Sequence, residues 1–212
     1  MSKIILATIG SLGDMHPKIA LALGLKARGH EVTIAAMEAY RERIEPLGIS
    51  FAPMAPHLKP GDKEIARELM DSRKGSEKIL RDIIMPSLDE MYEDLMRIVD
   101  GADILISGEI VYVTKSVVEK TGIKWVSTSL QPGTLFSAYD PFVPPTVEWL
   151  EHLHFLGPTF NRALYKIMVW SMSHWWAPYG EFRRRLGLSE DHDPLIAGKF
   201  SDLLHLAMFS KP

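Results

Sequence analysis

Apolar positions along the chain fall into two textures. Short unbroken blocks predict strands, and longer stretches with apolar residues three and four apart predict helices. The block at 4–9 is apolar apart from Thr8 and reads as a strand covered on both faces. Gly10, Ser11 and Gly13 follow it as a small, flexible turn. A helix is expected over 17–28, with Pro17 as its first residue and Gly29 just past its end. Ile19, Leu21, Ala22, Leu23 and Leu25 supply its apolar face. The next block, 32–36, is a second strand. Strand, helix, strand at this spacing is a unit whose two strands run parallel.

The same textures continue. A short helix is expected over 38–47, stopped by Gly48, and 49–53 reads as a third strand at a sheet edge. Charged residues punctuated by Pro60, Gly61 and Gly75 predict loop and short helix between 56 and 75. Ile83, Ile84, Leu88, Met91, Leu95 and Val99 recur at helical spacing, so 79–99 is a helix or helix pair, interrupted at Pro86. Strands at 104–106 and 124–127 flank a helix at 110–121 that Gly122 closes. An irregular zone at 132–145 precedes a helix over 161–186, bent at Pro178, and 203–209 reads as a sixth strand. The pattern predicts an α/β fold: one Rossmann-like domain over 1–212 with a mainly parallel β-sheet flanked by helices. In such folds ligands meet the carboxyl ends of the strands, where the loops after 4–9, 104–106 and 124–127 converge.

Composition narrows the partners. A net charge of -3, mixed in sign along the chain, provides no basic field for nucleic acid and at most peripheral contact with a membrane. The absence of cysteine rules out disulfides and thiolate chemistry and fits a reducing compartment, so a cytoplasmic location is expected. The first residues are a strand and not a signal peptide, and no apolar run is long enough to span a bilayer. Five Trp and eleven Met suit either a core or a pocket for a bulky apolar ligand. The stripe from Leu164 to Trp176 is expected mainly as core.

The candidate chemistry sits on the loops. Asp14 can accept the proton of a neutral hydroxyl nucleophile, or cap the first helix, and the two roles compete. His16 has an imidazole suited to acid–base work and is a possible orienter of Asp14, although spacing of two does not guarantee that geometry. Gly10, Ser11 and Gly13 resemble a phosphate cradle but lack the third glycine of Gly-x-Gly-x-x-Gly and any Gly-Lys-Ser/Thr. Glu109 and Gln131 follow the fourth and fifth strands and can each hydrogen-bond a polar ligand, or be ordinary solvated loop residues. Phe136, Tyr139, Phe142, Val143 and Trp149 are expected as an apolar wall beside the crevice, in preference to a cover for the sheet. The histidines show no metal-ligand spacing, so no metal site is expected.

Gly10-Ser-Leu-Gly-Asp-Met-His-Pro17, followed by Ala20-Leu-Ala-Leu-Gly-Leu and Arg28-Gly-His-Glu-Val32, resembles the N-terminal half of GT-B glycosyltransferases. It is most similar to the UDP-glucose:sterol glucosyltransferases and the antibiotic-modifying enzymes. Asp103-Ile-Leu-Ile-Ser107 and Val117-Val-Glu-Lys-Thr-Gly-Ile123 resemble a later strand and helix of that family. The resemblance implies one half of a GT-B fold, binding the hydroxyl-bearing, partly apolar acceptor. The other half, a C-terminal donor-binding domain, holds a UDP- or TDP-linked sugar. It puts the general base of an inverting transfer on Asp14, with His16 as neighbour, and lets Gly10, Ser11 and Gly13 approach the donor. It implies no cofactor bound by this domain alone and no metal. An end directly after a strand is expected of a chain cut before its donor domain, and such a half is expected to be inactive or nearly so alone. Two rivals stay open: a non-catalytic half that partners a separate donor-domain subunit, and a Rossmann-type nucleotide or flavin domain.

Overall fold

The computed structural model of the chain describes residues 1–57, 71, 75–141, 143, 145–190, 193–196 and 198–209. Six strands, β1 (Lys3–Ala7), β2 (Glu31–Ala36), β3 (Ser50–Pro53), β4 (Ile104–Ser107), β5 (Lys124–Ser129) and β6 (Leu204–Ala207), form one sheet. Their spatial order is β3-β2-β1-β4-β5-β6, and every pairing is parallel. Strand numbering therefore reverses direction at β1. β2 and β3 build outward on one side, and β4, β5 and β6 on the other. A crevice opens where neighbouring strands send their chains apart.

Side-chain alternation divides the core. Ile4, Leu6, Ile34, Ile106 and Val126 face helix α1 (Leu12–Ala27) and pack on Met15 and Ala22. Ile5, Ala7, Leu105 and Trp125 face the other way. They are covered by α2 (Leu88–Ile98), α3 (Thr114–Thr121) and α5 (Ala177–Arg185), through Leu88, Met91, Leu95, Val117, Tyr179 and Phe182. Burial on both faces is what lets the strands read as unbroken apolar blocks.

Several boundaries differ from the sequence expectation, each for a local reason. Helix α1 begins at Leu12 and not at Pro17, because Ser11 caps it and Asp14 closes the cap. Pro17 then lies inside the helix, where its missing N–H forfeits a bond to the Gly13 carbonyl, at the margin of the first turn. The region 38–47 is three single turns, Glu38–Tyr40, Arg41–Ile44 and Glu45–Leu47. A π-helical stretch, Ile79–Ile84, and a 3₁₀ turn, Met85–Ser87, mark the interruption expected at Pro86 before α2. The expected helix at 161–186 is two helices, α4 (Gly157–Met172) and α5, separated by the turn Ser173–Trp175. Pro178 cannot donate to the turn before it, so the helix restarts with Pro178 in its first turn. The Trp and Met stripe is not simply core: Tyr165 and Trp176 are buried, whereas Ile167 and Trp170 are exposed.

Helix α5 is pinned by a charge. Arg183 is fully buried and donates to Ser189 O (2.6 Å), Ser116 Oγ (3.2 Å) and Glu119 Oε2 (2.8 Å). Removing one partner of a buried pair leaves the others unsatisfied. Arg183→Ala is expected to lower unfolding free energy by about 3 kcal/mol. Arg184→Ala, on the exposed face, leaves it nearly unchanged. Urea titration of the two variants checks this.

Candidate active site

The turn after β1 is organised by one carboxylate. Gly10 takes φ 126, a conformation that side chains rarely adopt, and the space its Cβ would occupy lies 2.3 Å from Asp14 Oδ2. Asp14 therefore folds back over Gly10. Its Oδ2 accepts from Ser11 N (2.8 Å) and Ser11 Oγ (3.1 Å), while Gly13 N donates to Ser11 Oγ (3.1 Å). Oδ1 accepts nothing among the described residues. A carboxylate in the first turn also meets the positive end of α1. Tyr40 braces the turn from below, its hydroxyl donating to Gly10 O at 2.8 Å. Burial, and then the nearby Asp14, push the Tyr40 phenol above its ordinary range.

His16 is exposed on α1. Two residues along a helix is more than half a turn, so His16 and Asp14 point to different sides and form no base–orienter pair. Ser11 and Gly13 cap the helix, and the N–H donors that would cradle a phosphate include Ser11 N, which Asp14 already takes.

Beneath Asp14 runs a buried polar seam that pattern reading passed over. Lys18 is fully buried on α1 and donates to Thr128 Oγ1 at the end of β5, which in turn donates to Ser107 O at 2.9 Å. Burial pulls the Lys18 ammonium down to about 8, with Asp14 and Glu109 opposing. Its signal was present: Met15, Lys18 and Ala22 share one buried face at spacings of three and four, so a lysine interrupts the apolar stripe. Glu109, just past β4, accepts from Ser129 Oγ (2.6 Å) and Lys199 Nζ (3.2 Å). Lys199 also donates to Thr134 O and lies 4.8 Å from the centre of the Phe136 ring. Gln131 is exposed, and its carbonyl accepts from Thr134 Oγ1 at 2.8 Å to start the turn Pro132–Leu135.

That turn leads into a cavity of about 720 Å³. Phe136 and Tyr139 line it together with Tyr165, Trp170, Trp176 and Asp193. Phe136 holds a left-handed backbone (φ 50), sustained by edge-to-face packing on Tyr165 at 5.6 Å. Such strain collects where a loop is held for a ligand. Phe142 lies outside the described residues. Trp149 is exposed and does not join the wall. A second large cavity, about 830 Å³, opens at the opposite end of the sheet around Asp100–Ile104 and Thr121–Lys124, away from Asp14. Among the described residues no three His, Cys, Asp or Glu side chains cluster to hold a metal, and no helix is long and apolar enough to cross a membrane.

The model of the glycosyltransferase family 28 N-terminal domain matches residues 4–132, a span that runs from within β1 to just past β5. The chain belongs to this family. It is 28% identical over 207 residues to the O-mycaminosyltylonolide 6-deoxyallosyltransferase of Streptomyces fradiae, covering 88% of this chain and 44% of that protein. It is 29% identical over 187 residues to a sterol 3-beta-glucosyltransferase of Sclerotinia sclerotiorum, covering 86% of this chain and 12% of that one. The chain thus spans less than half the length of either. The crystal structure of the glycotransferase of kitacinnamycin shares the fold, with a TM-score of 0.55 at 19% identity over 97% of this chain and 45% of that chain. The GT-B half expected from the opening motif is the fold observed.

Lys18 carries a pH signature. Unfolded, a lysine titrates near 10.5; folded, Lys18 titrates at about 8. Between those values the unfolded chain binds more protons, so Lys18 makes stability rise with pH across that window. Relative to Lys18→Met, the unsubstituted chain is expected to gain up to about 3 kcal/mol between pH 7.5 and 10.5. Urea unfolding of both proteins across this range measures the difference, in which the other titrating groups cancel.

Proposed function

We propose that this chain is the acceptor-binding half of an inverting glycosyltransferase that moves a sugar from a UDP- or TDP-linked donor to a hydroxyl of a bulky, partly apolar acceptor. Asp14 is its general base. The observation that carries this reading is the state of the Asp14 carboxylate: Oδ2 is held by Ser11 while Oδ1 stays open, at the crevice where β1 and β4 diverge. The acceptor body lies against Phe136, Tyr165 and Trp176. Its hydroxyl oxygen attacks the anomeric carbon as Asp14 Oδ1 takes the hydroxyl proton, the bond to the nucleoside diphosphate breaks, and the diphosphate leaves with the electron pair. His16 stands outside this proton path. Glu109, held by Ser129 and Lys199, forms the polar floor of the crevice, with Gln131 at its mouth.

The names of the relatives agree with this reading: each whose name states a reaction is a glycosyltransferase. The donor-binding half it requires belongs either to a longer chain containing this one or to a separate subunit. A dinucleotide or flavin site is disfavoured by the turn itself. Asp14 fills the space over Gly10 and takes the Ser11 N–H, leaving a negative charge where a pyrophosphate would sit.

The test uses this domain together with its donor-binding half. Asp14→Asn keeps an oxygen that can accept from Ser11 but removes the base. Turnover is expected to fall about 100- to 10,000-fold, with little change in melting temperature. Turnover near that of the unsubstituted enzyme would exclude Asp14 as the base, and a lowered melting temperature with full turnover would assign it to capping alone.

A further inference from the structure

One polar residue lining the aromatic cavity has a side-chain oxygen that neither the fold nor the proton transfer explains. Asp193 lines it, across from α4. Its Oδ1 accepts from Leu195 N (2.8 Å) and Ile196 N (3.4 Å), which fixes the carboxylate in its turn. Oδ2 accepts nothing among the described residues. Burial raises this carboxyl above the usual range, against the two N–H bonds and the positive charge of Lys199. The same carboxylate also borders an adjoining cavity of about 330 Å³ that shares Ser173 and Trp176 with the first. Asp193 therefore stands at the junction of the two spaces.

The other charges around the cavity are already placed elsewhere. Arg162 and Lys166 are exposed, at successive turns of α4, and the Arg162 guanidinium lies 6.0 Å from the centre of the Tyr139 ring. Lys199 is engaged by Glu109 and Thr134. Glu190, in the smaller cavity, lies 3.7 Å from Arg184. Asp193 shares this cavity with Tyr165, Val169 and Trp176, and an acceptor-only oxygen there is costly to cover with an apolar ligand surface, since its hydration is lost without replacement. A ligand that fills the cavity must bring a hydrogen-bond donor to it.

We propose that Asp193 is a specificity-determining residue: its Oδ2 accepts a hydrogen bond from a second polar group of the acceptor, distinct from the hydroxyl that faces Asp14. The preferred acceptor is then a bulky apolar molecule bearing an additional hydroxyl or amine, and fully apolar or fully capped molecules are rejected. This rests on the reading of the cavity as the acceptor site. A site built to accept a hydrogen bond discriminates more sharply than an apolar wall, because the wrong ligand covers the carboxylate and leaves it unpaired.

Estradiol, a rigid apolar body with a hydroxyl at each end, is a suitable probe. Its binding to the chain is read by quenching of Trp170 and Trp176 fluorescence, beside its dimethyl ether and an analogue with one hydroxyl replaced by an amine. Estradiol is expected to bind the unsubstituted chain about tenfold more tightly than it binds Asp193→Asn. The dimethyl ether, which brings no donor, is expected to bind the unsubstituted chain about tenfold more weakly than estradiol does, and to bind Asp193→Asn no more weakly than the unsubstituted chain, since the Asn amide can donate to its ether oxygens. Asp193→Ser, whose hydroxyl can still accept from Leu195 N, provides the same comparison should the Asn variant fail to fold. Tighter, salt-sensitive binding of the amine identifies an ammonium as the natural donor, and equal or weaker binding identifies a hydroxyl. Estradiol binding of equal strength to all variants overturns the role of Asp193 and leaves the cavity as the acceptor site. No binding of any probe overturns the acceptor-site reading, and this inference with it.

Discussion

The structure depends on how the Asp14 carboxylate is held. One oxygen closes the turn between β1 and α1, over a glycine that has no room for a Cβ. That bond starts α1 at Leu12, a full turn before Pro17. It also places an open carboxylate oxygen at the crevice where strand order reverses. Capping uses one oxygen of the group and leaves the other open, so the cap and the proton transfer proposed above do not compete for the same atom. The geometry of the turn therefore fixes both where the helix begins and where a proton can be accepted.

Behind this turn the sheet is unusual in what it buries. Lys18, Thr128 and Ser107 form a polar seam under the crevice, between two apolar layers. A buried ammonium is retained against desolvation only because it is paired by hydrogen bonds and nearby carboxylates. Lys199 repeats the arrangement on the other side of Glu109 and joins the crevice to the aromatic loop through Phe136. Glu109 and Lys199 thus tie the end of β5 to the wall of the cavity.

The sheet was largely legible in the sequence because strands buried on both faces read as apolar blocks, and glycines such as Gly48 and Gly122 end their elements in left-handed turns. Helix starts were less legible. Pro17 suggested a beginning, but the Ser11 to Asp14 capping box overrode it; that spacing was itself a readable signal. Asp14, Gly10, Glu109, Phe136 and Tyr139 stood out on loops, and the fold brings the first three to the crevice and the last two to the cavity. Asp193, Lys199 and Tyr40 carried no periodic or motif signal. Their positions follow from packing between segments distant in sequence, which one-dimensional patterns do not encode.

The central claim is that the open oxygen of Asp14 meets the acceptor hydroxyl. A crystal structure of the chain with a bound hydroxyl-bearing acceptor tests it most directly. The account predicts a hydroxyl oxygen about 2.6–3.2 Å from Asp14 Oδ1, with the apolar body between Phe136, Tyr165 and Trp176. An acceptor seated in that cavity with every hydroxyl out of reach of Asp14, or bound at the opposite end of the sheet, would contradict it.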